Sequence, residues 1–136
     1  MTLTATALLS YVAWSLLLLL MLAFVRTSLV VAGKRKSNSF SASGDEMDPF
    51  GKRLTRAHAN CYENIGFAAA VMLYAIATNQ TAITDGLAAM FIGARVAQSA
   101  SHLISTSRLF VTLRFAFFVV QVAILIYWLV KLFKIA

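Results

Sequence analysis

Charge is scarce in this chain. Lys, Arg, Asp and Glu make up 12% of its 136 residues, against about 25% for a soluble domain, so the composition argues against a water-facing globular surface. The 60% share of hydrophobic residues and a mean hydropathy of +0.79 point the same way. Acidic residues are rarer still, 5 against 12 basic ones, for a net charge of +7. That excess does not mark a nucleic-acid partner, because the Lys and Arg residues bracket apolar runs, which is the pattern of membrane orientation. The single cysteine, Cys61, excludes an intrachain disulfide and a four-cysteine zinc site. The two histidines, His58 and His102, are too few for a metal site, and no H-E-x-x-H pattern is present, so no metal is expected. The chain has one proline, Pro49, and neither an internal repeat nor a low-complexity tract. Beside the apolar runs there is no room for a soluble domain, and residues 1–136 read as one membrane domain.

What remains is a set of long apolar runs. Residues 5–31 carry one charge, Arg26, and exceed the roughly 20 residues needed to span a hydrocarbon core about 30 Å thick. Met1 to Leu9 holds no basic side chain and the run is too long for a cleaved signal peptide, so a retained helix is expected. That helix holds no acidic residue, which argues against a small four-helix exporter. Residues 32–55 form the one substantial loop, whose mix of Ser, Gly, Asp and Pro is loop chemistry. Further helices are predicted over 56–77, 82–104 and 111–133. The third is rich in Ala and Gly and should be the most buried. Tyr127 and Trp128 stand as interface anchors near the end of the fourth. The fold class is therefore all-α, an integral membrane four-helix bundle. Lys34, Arg35, Lys36, Lys52, Arg53 and Arg108 fall on one side, which puts the long loop in the cytoplasm and both termini outside. In a bacterium the membrane would be the inner one.

The chemistry concentrates in 53–64, RLTRAHANCYEN, which leads straight into an apolar run. On a helix Arg56, Asn60 and Glu63 share one face. Arg95 lies about ten residues, or roughly 15 Å, from the cytoplasmic end of the third helix, near its middle. There an arginine costs about 2.5–3.5 kcal/mol on insertion scales and needs a partner. Glu63 is the expected one. Gln98 and His102 follow Arg95 on the same face, and Arg114 and Gln121 are seven apart on the fourth helix. The plainer readings are an Arg–Glu pair that only fixes helix packing, arginines at 56 and 114 that snorkel to the interface, and a Cys61 that is a small buried residue.

Arg-Ala-His-x-Asn-x-x-Glu at Arg56 to Glu63, preceded by Asp48 and Arg53, resembles the signature of the MAPEG family, the membrane-associated proteins in eicosanoid and glutathione metabolism. Arg95-Val-Ala and Arg114 add to the likeness, which covers essentially the whole chain. The resemblance implies a homotrimer of four-helix subunits in the lipid bilayer, with glutathione bound between subunits near the cytoplasmic face. Arg56 and Arg95 would pair with its carboxylates, which an arginine fork can hold bidentately. Glu63 would take the ammonium, Asn60 the peptide-like amides, and Gln98 and His102 would complete the pocket. Arg114 would stabilise the thiolate for attack on a small lipophilic substrate in a transferase or peroxidase reaction. Many members carry His or Tyr at the position of Gln98 and Tyr at that of His102, and animal members commonly carry Asp at that of Cys61. Some members are non-catalytic binders of lipophilic molecules, the alternative on the same scaffold.

Overall fold

In the computed structural model, which describes residues 1–136, the chain forms four helices: α1 (Leu3–Val31), α2 (Pro49–Ala77), α3 (Thr81–Ile104) and α4 (Arg108–Phe133). The shortest, α3, has 24 residues, so each is about 36 Å or longer at 1.5 Å per residue. Two of them, α1 and α4, are both long and apolar enough to cross a membrane. Their outward faces stay apolar, with Phe24 73% and Phe133 77% exposed.

Local chemistry places the ends. α2 starts seven residues before the expected Arg56, because Asp48 caps it and Pro49 occupies the first helical position. The apolar run alone could not show this, since Lys52 and Arg53 interrupt residues 49–55. The loop accordingly shortens to 32–48, and Lys52 and Arg53 become helical. α4 likewise starts at Arg108 rather than 111. Between α2 and α3, Asn79 takes a left-handed conformation at φ 57°. Gln80 N–H then donates to Ala75 O and Asn79 N–H to Ile76 O, the paired bonds of a Schellman ending. This reverses the chain in three residues.

α3 is the central helix and packs against the other three, whereas α4 leans on α3 and barely meets α2. Its small residues do not all serve that packing. Ala88 and Ala94 are buried, but Gly86 and Gly93 face outward, with open space where a side chain would be. Aromatic contacts join three helices: the Phe91 ring lies 6.1 Å from Tyr11 and 5.4 Å from Trp128. Trp128 is completely buried, so it is core rather than an interface anchor. Tyr127 keeps that position, with Lys131 Nζ 5.7 Å from its ring centroid.

Two polar contacts pin the ends of the bundle. At one end the Asp85 carboxylate accepts from Thr4 N–H (2.7 Å) and from the Thr4 hydroxyl (2.6 Å). A residue of α3 thereby caps the positive start of α1. At the other end Arg53 Nε donates to Leu103 O at 2.8 Å, satisfying a last-turn carbonyl of α3.

Candidate functional site

Polar side chains of α1, α2 and α3 gather around Arg95. This side chain is 1% exposed. Its NH1 donates to Asn60 Oδ1 at 2.7 Å, and its guanidinium lies 5.3 Å from the Tyr11 ring centroid, within cation–π range. Tyr11 in turn donates to Cys61 O (3.1 Å), and Ser15 Oγ lies 3.1 Å from Cys61 Sγ. One heptad along α3 from Arg95, and on the α4 side, a second group forms. Arg114 NH1 lies 2.8 Å from His102 Nδ1. A guanidinium can only donate, so Nδ1 accepts and the histidine proton sits on Nε2. Gln121 Nε2 donates to Gln98 Oε1 at 2.8 Å and to Phe117 O at 2.9 Å.

Glu63 is not the partner of Arg95. It is exposed, and the one ion pair within the chain is Lys52 with Asp45 at 2.8 Å. The reason is helical geometry. Asn60 and Glu63 differ by three residues, hence by about 60° around the axis, and that rotation carries Glu63 from the α3 side to the open side of α2. Arg56 is exposed on the same open side. The carboxylate and one guanidinium of the predicted set therefore point out of the chain, while Asn60, Arg95, Gln98, His102 and Arg114 lie between its helices.

Burial without a counter-charge leaves Arg95 incompletely satisfied. Its Nε has no hydrogen-bond partner, and neither has the buried Gln121 Oε1. A buried charged group lacking an opposite charge is expensive, and Arg95 offsets that cost with one side-chain hydrogen bond and the Tyr11 ring. Cys61 is buried, with its sulfur near a hydroxyl and its backbone carbonyl used by Tyr11, which makes it a packing residue of this cluster. Tyr11 and Ser15 carry no signal at the level of sequence, because both sit inside a long apolar run. Gln121 was signalled by its seven-residue spacing from Arg114.

Outside the helices the loop is held by its own polar contacts. Glu46 accepts from the Ser41 hydroxyl and from Ser41 N–H, and these bonds bring its carboxyl down to about 2. Arg35 NH1 donates to Glu46 O at 2.9 Å and NH2 to Ser39 O at 3.2 Å.

Comparison with known proteins gives one match. The family model described as MAPEG family matches residues 4–134. No curated protein and no solved structure matches.

Proposed function

This chain belongs to the MAPEG family, and from that membership we propose a membrane-bound, glutathione-dependent transferase or peroxidase that works as a homotrimer. In this reading all four helices cross the bilayer, the 32–48 loop lies in the cytoplasm and both termini lie outside. The observation that carries the proposal is the division of charge across α2. Arg95 is buried beside Asn60 with an unpartnered Nε, while Arg56 and Glu63 project from the same stretch onto an open face. One chain supplies half of a charged pocket. A second copy laid against that face would close it.

The residues fit glutathione by chemistry. Its two carboxylates call for two guanidiniums, Arg56 and Arg95, and its ammonium calls for Glu63. Asn60 can accept from Arg95 through Oδ1 and still offer its amide N–H groups to a peptide. When bound, glutathione supplies a thiol that reacts as its thiolate with an electrophilic carbon or a peroxide oxygen. Arg114 provides the cation that favours a thiolate. His102 occupies one of its five N–H donors, fixing the fork and leaving the others free. Gln98, held by Gln121, lines the α3 side of the same region. The apolar outer faces of α1 and α4 give a lipophilic substrate a route from the bilayer.

Calorimetry of glutathione with the detergent-purified protein tests the binding half. Saturable binding that Glu63→Gln removes is the expected result. Arg114→Ala should keep binding and lose turnover of an electrophile. If the intact protein does not bind glutathione, the thiol chemistry is refuted, and a non-catalytic binder of lipophilic molecules takes its place.

A further inference from the structure

At the loop end of the bundle, away from the Arg95 cluster, a cavity of about 680 Å³ opens between the last turns of α1, the loop and the start of α2. That volume is in the range of pockets that hold small organic molecules, about 300–1,000 Å³. Its floor is apolar, with Phe24, Leu29 and Phe50 among the lining residues, and its rim carries Lys34, Arg35, Glu46 and Asp48.

Three of these rim groups, Arg35, Glu46 and Asp48, are held in place, yet no opposite charge neutralises any of the four at contact distance. Arg35 spends three of its five N–H donors on the carbonyls of Glu46 and Ser39 and on the Ser39 hydroxyl. Glu46 accepts from Ser41, and Asp48 from Gly51 N–H at 3.1 Å. All of these partners are neutral. Lys34 is exposed, and the chain's one ion pair lies elsewhere, at Lys52 and Asp45. Two cations and two carboxylates around one opening complement a ligand that carries both signs. The floor adds a requirement for an apolar tail. Phe24 leads out of the cavity onto an exposed stripe of α1, with Leu20 65% and Leu16 51% exposed at four-residue spacing. A hydrocarbon chain leaving the cavity would follow that stripe into the bilayer.

We propose that this cavity binds an ethanolamine-type phospholipid, its phosphate on Lys34 and Arg35, its ammonium on Glu46 and Asp48, and an acyl chain along Phe24, Leu20 and Leu16. A primary ammonium brings three N–H donors to the carboxylates. A choline headgroup brings none, and a glycerol headgroup brings no cation. Glutathione carries both signs but no hydrocarbon tail, so it leaves the floor uncovered.

The test is lipid retention. The full-length protein is equilibrated in micelles containing equal amounts of phosphatidylethanolamine, phosphatidylcholine and phosphatidylglycerol, repurified, and its bound lipid counted by native mass spectrometry. Loss of hydrogen bonds to charged acceptors, about 1.5–3 kcal/mol, sets the expected preference for ethanolamine over choline at about tenfold or more. Lys34→Glu should bring retention down to the level of the other lipids. Lys36→Glu, the same change two residues away and outside the cavity lining, should not. Saturating glutathione should leave the bound lipid in place. Equal retention of all three lipids, preference for the glycerol headgroup, or an equal effect of Lys36→Glu would overturn the proposal. So would displacement by glutathione, which would make the cavity part of the thiol's own site. Because lipid and glutathione are measured separately, either reading can fail while the other stands.

Discussion

Replacing Asn60 by Leu while Arg95 stays in place should destabilise the bundle more than any apolar substitution of similar size on α2. Asn60 Oδ1 is the only side-chain acceptor for the Arg95 guanidinium, at 2.7 Å, and Arg95 is 1% exposed. A hydrogen bond to a charged group contributes about 1.5–3 kcal/mol, and a buried charge left unpaired adds its desolvation penalty. A loss of about 2–4 kcal/mol is therefore expected. Arg95→Met alone leaves a neutral amide unpaired, which costs less than a stranded charge, about 1–3 kcal/mol. It also gives up the Tyr11 cation–π contact, about 0.5–2 kcal/mol. The double variant replaces both partners by apolar groups, which can be nearly neutral. It should be more stable than Asn60→Leu alone. Reversible unfolding of the four proteins in mixed micelles completes the cycle, with an expected coupling of about 3 kcal/mol, the upper end for residues in contact. Additive effects, or a double variant weaker than Asn60→Leu, would refute the idea that Asn60 is what makes the buried charge tolerable.

Acid should loosen the loop before it unfolds the helices. Ser41 lowers the Glu46 carboxyl from 4.5 to about 2, so the associated stability is complete above about pH 4.5 and is lost as pH falls towards 2. Proteolysis of residues 32–48 across that window should accelerate, and Glu46→Gln should reduce the pH dependence to the part owed to Asp45, whose carboxyl Lys52 also lowers. Asp85→Ala removes the carboxylate that caps α1 and should cost about 1 kcal/mol. Its signature would be faster amide exchange over the first turns of α1; unchanged exchange there would contradict the capping role. Gly44→Ala should destabilise the loop, because Gly44 has φ +68° and a Cβ would fall 2.6 Å from Thr55 Oγ1. The cost is about 1–3 kcal/mol, read as earlier proteolysis at neutral pH. An alanine variant as resistant as the parent would show that the loop adjusts freely.

The four helices were legible because hydropathy and turn chemistry agree at most of their ends. The start of α2 was not, since residues 49–55 carry no apolar run, and the Asp48–Pro49 cap is a signal of a different kind. The polar stripes were legible for the same reason that they matter: charged and amide groups stand out in apolar segments. Their pairing was harder to read. Charge alone favours Glu63 for Arg95, but helix rotation decides the contact and gives it to Asn60. Trp128 shows the converse limit, because a residue type common at membrane interfaces is equally suited to fill a core between α3 and α4.

The Arg95–Asn60 contact also bears on how the protein is made. If all four helices cross the bilayer, as proposed, α1 and α4 are apolar enough to partition into lipid singly as they leave the ribosome. α3 would have to bring a bare guanidinium with it, at about 2.5–3.5 kcal/mol on insertion scales. Its only side-chain acceptor is on α2, and the three-residue turn between them holds the two helices side by side. They should therefore leave the translocon together as a preformed hairpin. Lengthening the 78–80 turn with a flexible linker should make integration of α3 depend on Asn60 far less than it does in the native chain.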